Sequence, residues 1–386
     1  MSTGPGFTTL HVSQPTEAGV AACVRSLVAD QRARGWNVAL AAPFWDDLSS
    51  EAEELGARCY RWEAVRAPGP ATLPETIALG RIIRNVDPDV VHLHSSKAGL
   101  AGRLWLRGRV PTIFQPHAWS FDAANGLVGV LALAWERFAA RWADVVVCVS
   151  EAEAAEGRAA GVRGRYEVVP NGVSLEAWAV AGPEKRGAAR RRLGLEDGPL
   201  AVCVGRLSHQ KGQDLLLAAW PRVRERVPWA TLVLVGSGPE EERLRALAGD
   251  GVQLVGARDD PADWYAAADV VVAASRWEGM SLVPLEAMAS GRSVVATDVS
   301  GAGEAIGEEA GAVVALGDTA ALADATAQRL LDPERADLEG RAGRRRVESL
   351  FDMRRTTEAL ASLCERLTAQ DRRPRRASSS TEPTTP

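Results

Sequence analysis

Cysteine is scarce: five in 386 residues, at positions 23, 59, 148, 203 and 364, with no metal-type spacing among them. That excludes a disulfide framework and a cysteine-built zinc site. Cys148 and Cys203 fall inside apolar runs and read as reduced core residues of a cytosolic protein. Long apolar runs are also missing. A spanning helix needs roughly 20 such residues, and the longest candidate, residues 126–135, reaches about half that. The first eight residues are polar and lack a charged start and an apolar stretch, so no secretory signal is expected. Positive charge is not in excess. The formal net charge is -5, so no global basic field points to nucleic acid. The expected location is cytoplasmic, with peripheral contact at the inner face of the membrane left open.

What is present is ordinary for a folded chain: 46% hydrophobic and 25% charged residues. The length fits two doubly wound domains better than one. Short β-branched apolar runs recur at residues 9–12, 36–41, 90–93, 112–115, 145–149 and 167–169. A second series follows at 200–204, 231–235, 252–255, 270–273, 293–297 and 312–315. They are continuously apolar, as strands of a parallel sheet covered on both faces must be. Helical patterns between them mark βαβ units. Residues 20–34 are one example, with Val24, Leu27 and Val28 at helical spacing and Gly35 as the stop.

A linker-like stretch at 179–184 precedes an Arg-rich helix over 185–193. The expected division is a first Rossmann-like domain over 1–180 and a second over 181–352. A C-terminal helix over 353–369 is expected to pack back on the first domain. Residues 370–386 are Arg, Pro, Ser and Thr-rich and read as a disordered, solvated tail. The cluster Arg372, Arg373, Arg375 and Arg376 leaves anionic lipid as the competing reading.

Ligands of open α/β sheets bind just beyond the carboxyl ends of the strands, and the unusual residues lie there. Residues 205–212 follow a strand and carry Arg206 and Lys211 between two glycines. Glycine lets backbone approach a diphosphate, Arg offers a fork and Lys a point charge. Two solvated surface cations are the plain alternative. Residues 236–239 read as a tight turn with a mainly structural role. Residues 276–286 are the richest segment. Gly279 and Ser281 open a helix with Pro284 in its first turn, and the free N–H groups there attract phosphate. Glu278 precedes this helix and Glu286 lies inside it, among Leu285, Ala287 and Met288, which argues against a purely solvated role.

The histidines admit two readings each. His92 and His94 are two apart on a strand and share a face. Paired imidazoles suit zinc, but no third ligand stands at a suitable spacing, so no metal is expected. His117 reads either as a satisfied core histidine or as a site residue. Residues 126–142, rich in Leu, Val and Trp with Arg137 and Arg141, read as an interfacial helix or as a core helix.

Taken in order, these segments resemble the retaining glycosyltransferases of family 4, which have the two-domain GT-B fold, with parallel sheets facing a central cleft. The Glu278–Glu286 spacing is similar to that family's paired-glutamate motif, and Arg206 and Lys211 to its phosphate-binding pair. Residues 169–173, 92–99 and 116–121 resemble further family segments, the last two being like those of members that build polysaccharides on lipid carriers. The resemblance covers about residues 9–367. It implies that Glu278 contacts the donor sugar, that Glu286 contacts the ribose, and that the N–H groups near Ser281 and Leu282 meet the diphosphate. It places His117 beside the transferred sugar and the loop at Gly19 beside the donor phosphates. The family carries two adjacent glycines in that loop, and here the first is Ala18; after His117, where it often has glycine, Ala118 stands.

The implied activity is metal-independent transfer of a sugar from a nucleoside-diphosphate sugar to a hydroxyl acceptor, with a lipid-linked glycan among the candidates. It implies no cofactor beyond the donor. A sugar-nucleotide epimerase or phosphorylase on the same fold is the competing enzyme, and a non-catalytic nucleotide-sugar-binding protein the competing class. Arg258, after residues 252–255, is a candidate neighbour of the base.

Overall fold

The computed structural model describes residues 6–44, 47–122, 124 and 126–371. Of the tail expected over 370–386 to be disordered and solvated, residues 372–386, with the arginine cluster for which lipid was the competing reading, lie outside the described residues.

Two parallel sheets organise the chain. The first has seven strands: β1 (Thr8–Ser13), β2 (Asn37–Ala42), β3 (Arg58–Arg61), β4 (Val90–His94), β5 (Thr112–Gln115), β6 (Val145–Cys148) and β7 (Tyr166–Val168). Its order is β3-β2-β1-β4-β5-β6-β7. The second has six: β8 (Leu200–Val204), β9 (Thr231–Val235), β10 (Val252–Leu254), β11 (Val270–Ala273), β12 (Ser293–Thr297) and β13 (Gly311–Val314). Its order, β10-β9-β8-β11-β12-β13, repeats the first six positions of the other sheet. In each, the order reverses once, between β1 and β4 and between β8 and β11. Such a switch point opens a crevice at the carboxyl ends, where ligands bind.

The strands are apolar on both faces because helices cover both. Val24, Leu27 and Val28 of helix Ala18–Ala33 pack on one face of the first sheet, and Leu79, Ile83, Ala98 and Ala101 belong to the cluster on the other. In the second sheet the division is between Leu285 and Met288 on one side and Leu216, Trp220 and Leu322 on the other. Strand β3 was not expected. Its sequence, Arg-Cys-Tyr-Arg, has exposed or half-buried residues throughout, as an edge strand allows, so no apolar run announces it.

The chain crosses back at its end. Leu360, Leu363, Cys364 and Leu367 of helix Met353–Gln370 join the core of the first sheet beside Val24 and Val28. Gly172 lies where this helix begins. A Cβ there would stand 2.6 Å from the Met353 Cα, so only glycine fits the crossing.

Candidate active site

The loop after β8 that carries Arg206 and Lys211 is built by close packing. After β8, Gly212 takes a left-handed conformation (φ 63), and a Cβ there would meet the Ala274 carbonyl oxygen at 2.0 Å. Glycine is thus required at this turn. The Gln213 side-chain amide donates to the Arg206 carbonyl at 3.0 Å and fixes the loop from behind. The turn at 236–239 supports it from the other side: the Leu207 N–H donates to the Ser237 carbonyl.

Lys211 Nζ donates to Glu278 Oε1 at 2.6 Å, and Ser275 Oγ donates to the same oxygen at 2.9 Å. Both partners are mostly buried, with side-chain exposures of 22% for Lys211 and 11% for Glu278. Loops from β8 and β11, distant in sequence, thus meet through one ion pair. Behind it, Glu286 accepts a 2.7 Å hydrogen bond from the Tyr265 hydroxyl, and burial raises its carboxyl above the ordinary range.

The helix near Glu278 is Leu282–Ala289, with Ser281 as its extended N-cap residue and Pro284 in its first turn. Gly279 therefore does not open the helix, as the sequence suggested; it lies in the loop before it. Its role is close approach. A Cβ on Gly279 would stand 2.8 Å from Val149 Cγ2, 2.9 Å from Glu153 Oε1 and 3.1 Å from the His117 carbonyl carbon. All three belong to the first domain, and Ser150 Oγ donates to the Gly279 carbonyl at 3.0 Å. The helix start faces the cleft here, and its first N–H groups lack intrahelical carbonyls.

The first domain contributes two loops. Gly19 lies at the start of helix Ala18–Ala33, and a Cβ on it would be in ordinary contact with Leu282 at 3.5 Å. Ala18 takes φ 54 despite its Cβ, a left-handed conformation that costs a residue other than glycine about 1–2 kcal/mol. The preceding residue, Glu17, reaches across the cleft and accepts from Arg206 Nη1 at 2.5 Å. The second loop follows β5. His117 and Ala118 take φ 59 and φ 138, both unusual for residues with a Cβ. Departures from easy backbone geometry of this kind gather at ligand sites.

Two residues that the sequence analysis missed hold this junction. Glu153 is fully buried; its Oε2 accepts from the Val149 N–H at 2.7 Å, while Oε1 has no partner. Burial pushes its carboxyl up to about 8, so it is largely protonated at neutral pH. In sequence it looks like the third residue of a capping box begun by Ser150, a purely local feature. Glu304 of the second domain accepts from the N–H groups of Glu151 (2.9 Å) and Ala152 (2.8 Å). A carboxylate of one domain thereby caps a helix of the other, where the dipole favours it.

The histidines also depart from expectation. No third ligand stands at a suitable spacing in the sequence, but the fold supplies one: His11 on β1 joins His92 and His94, and one nitrogen from each lies within 4.8 Å of the others. Nothing local links His11 to the other two. Their proximity comes from pairing β1 with β4, which sets His11 beside His92. Arg258 is exposed in the loop after β10.

Two parallel sheets with equivalent strand orders, joined across a cleft that holds paired glutamates, an Arg and a Lys, define a glycosyltransferase of the GT-B class. Residues 18–177 match the model of glycosyltransferase family 4, and residues 198–332 that of glycosyl transferases group 1. The chain belongs to glycosyltransferase family 4. It is 33% identical over 353 residues to a GDP-mannose-dependent alpha-(1-6)-phosphatidylinositol monomannoside mannosyltransferase of Mycolicibacterium smegmatis, covering 86% of this chain and 90% of that one. It is 34% identical over 250 residues to a lipopolysaccharide core biosynthesis mannosyltransferase of Rhizobium meliloti, covering 60% of this chain and 68% of that one. Sucrose-phosphate synthase from Thermosynechococcus elongatus superposes with a TM-score of 0.82 at 26% identity, over 95% of this chain and all of the other.

Proposed function

We propose that this chain transfers a hexosyl unit, with retention and without a metal ion, from a nucleoside diphosphate sugar to a hydroxyl of a lipid-linked acceptor. The observation that carries this reading is the Lys211–Glu278 ion pair, with Glu278 and Ser281 lining one pocket, and Arg206 of the same loop as Lys211 reaching Glu17 across the cleft. Fixed cations and N–H groups there face the charge that grows on a departing diphosphate, which is electrostatic catalysis. They supply the positive charge that a divalent ion would otherwise bring. Glu278 faces the sugar and Glu286 the ribose in this reading, with His117 and Gly19 closing over the donor from the first domain.

Retention by displacement on one face, with the leaving phosphate assisting deprotonation of the acceptor, suits the carboxylates present. Glu278 is held by Lys211 and Ser275, and Glu153 is fully buried, with its Oε2 taken by the Val149 N–H and burial raising its carboxyl. Neither is poised as a free nucleophile for a double displacement. The names of the GDP-mannose-dependent relatives make GDP-mannose the first donor to test. Thermal shift with GDP-mannose, UDP-glucose and ADP-glucose is expected to raise the melting temperature with one nucleotide series, because binding to the folded state stabilises it. No shift with any of them, or isomerisation of the donor without an acceptor, would overturn the proposal.

The acceptor side bears on the membrane. Among the described residues, no helix is long and apolar enough to cross one. Helix Gly126–Ala139 instead leaves Leu127, Val128, Val130 and Leu131 more than 60% exposed, and buries only Glu136 and Ala139. That removes the core-helix reading. Arg141 lies over the Phe138 ring at 4.2 Å, setting a cation beside the apolar strip as an interfacial helix does. Sedimentation with anionic vesicles is expected to carry the protein down at low salt, and Leu127→Asp with Leu131→Asp to release it. Equal pelleting of the variant would remove this contact surface.

A further inference from the structure

Behind His117 lies a row of imidazoles that the transfer reaction as described leaves unused. His117 Nε2 is 3.2 Å from His94 Nδ1, and His94 Nε2 is 3.0 Å from His11 Nδ1. His11 Nε2 in turn is 2.9 Å from Gln31 Oε1. Gln31 is buried on helix Ala18–Ala33, and its Oε1 also accepts from the Thr9 hydroxyl at 2.7 Å. His92 stacks on His94 with ring centroids 3.9 Å apart and is held by Gln115 Oε1 at 2.9 Å.

The direction of every bond in this row follows from its last member. An amide oxygen only accepts, so His11 Nε2 carries a hydrogen. A neutral imidazole has one N–H, which leaves His11 Nδ1 bare and able to accept from His94 Nε2–H. His94 Nδ1 is then bare and accepts from His117 Nε2–H. Burial keeps the rings neutral, lowering His11 and His117 to about 4 and His94 well below its ordinary value. The same bonds speak against a metal here. Both nitrogens of His11 and both of His94 are engaged, and of this trio only His92 Nδ1 has no partner, so a cation drawing on all three imidazoles would have to break the row.

We infer that Gln31, His11 and His94 form a one-way hydrogen-bond relay that fixes His117 in the Nε2–H tautomer and leaves its Nδ1 lone pair as a hydrogen-bond acceptor for a hydroxyl of the donor sugar. Gln31, His11 and His94 are positioning residues; His117 alone meets the substrate. A histidine's free nitrogen is set by the bond its other nitrogen makes. The left-handed backbone at His117 and Ala118 holds the ring in line with His94. The acceptor role of Nδ1 rests on the reading of the site above. The tautomer does not.

The test separates the two. The full chain, labelled with 15N-histidine, is examined by long-range proton–nitrogen correlation at neutral pH, with the His117 signals assigned by their loss in His117→Gln. A bare Nδ1 and a protonated Nε2 at His117 are expected. Gln31→Leu removes the anchoring acceptor and should give mixed tautomers at His117 and lower kcat by about tenfold, with bare nucleoside diphosphate affinity unchanged. Gln31→Glu keeps acceptor oxygens and should restore both the tautomer and the rate. A protonated Nδ1 in the wild type, an unchanged His117 spectrum in Gln31→Leu, or one tightly held metal ion per chain by elemental analysis would each overturn the relay. Should Gln31→Leu fail to fold, the wild-type spectrum and Gln31→Glu still decide. If the tautomer is as inferred but no sugar nucleotide binds, the functional reading fails and the relay stands.

Discussion

Arg206→Ala is expected to lower kcat/KM at least tenfold while the melting temperature hardly moves. In the resting cleft the Arg206 side chain is 38% exposed and its partner Glu17 53%, so the ion pair is well screened. Exposed pairs of this kind contribute about 0–1 kcal/mol to stability. A charge-assisted contact to phosphate contributes more, about 1.5–3 kcal/mol, or roughly tenfold to over a hundredfold in rate when the charge develops in the transition state. Lys211→Ala should lose as much activity but behave differently in stability. Removing its ammonium leaves the largely buried Glu278 with only the Ser275 hydroxyl as a side-chain donor. A measurable drop in stability should accompany the loss of activity there, and Lys211→Arg should recover part of both. Steady-state kinetics with thermal unfolding of all three variants makes the check. Full activity in Arg206→Ala under limiting donor would show that the diphosphate does not lie at this loop.

Glu278→Gln and Glu286→Gln are expected to fail in different ways. Glu278 sits in the loop before the helix, next to Lys211, where positive character at the anomeric carbon would be felt. Losing a contact made mainly in the transition state lowers kcat, whereas losing one made equally in the ground state raises KM. Glu278→Gln should therefore depress kcat strongly and leave nucleoside diphosphate affinity nearly unchanged. Glu286 is anchored by the Tyr265 hydroxyl, a bond that glutamine can still accept, so the fold should tolerate Glu286→Gln. What changes is the charge offered to the ribose, and binding of the bare nucleoside diphosphate should weaken by about 1–2 kcal/mol. Calorimetric titration with the diphosphate, beside kinetics, distinguishes the two. Equal loss of diphosphate affinity in both variants would end the division of sugar from ribose.

The amino-acid sequence by itself determined the strands, and through them the placement of most site candidates. Runs such as 200–204 and 270–273 must be buried on both faces, and the polar residues just after them then fall at the carboxyl ends, where Arg206, Lys211 and Glu278 stand. Lys211 carried a further signal in being one of only three lysines in an arginine-rich chain. Local pattern failed where function depends on closeness without periodicity. Strand β3 lacked an apolar run because it lies at an edge. Gly279 looked like a helix opener because a glycine before a helix usually serves its own backbone, yet here it admits Val149, Glu153 and His117 from the other domain. Glu153 mimicked a capping residue, yet its carbonyl also accepts from the Trp119 indole N–H, two residues after His117. Tertiary structure alone decided that His11 lies beside His94, 83 residues away, and that Glu17 reaches Arg206 across 189. The physical reason is the same for each. Hydrophobic periodicity specifies which face of an element is buried, but strand register and domain closure specify which polar groups meet, and neither leaves a trace in neighbouring residues.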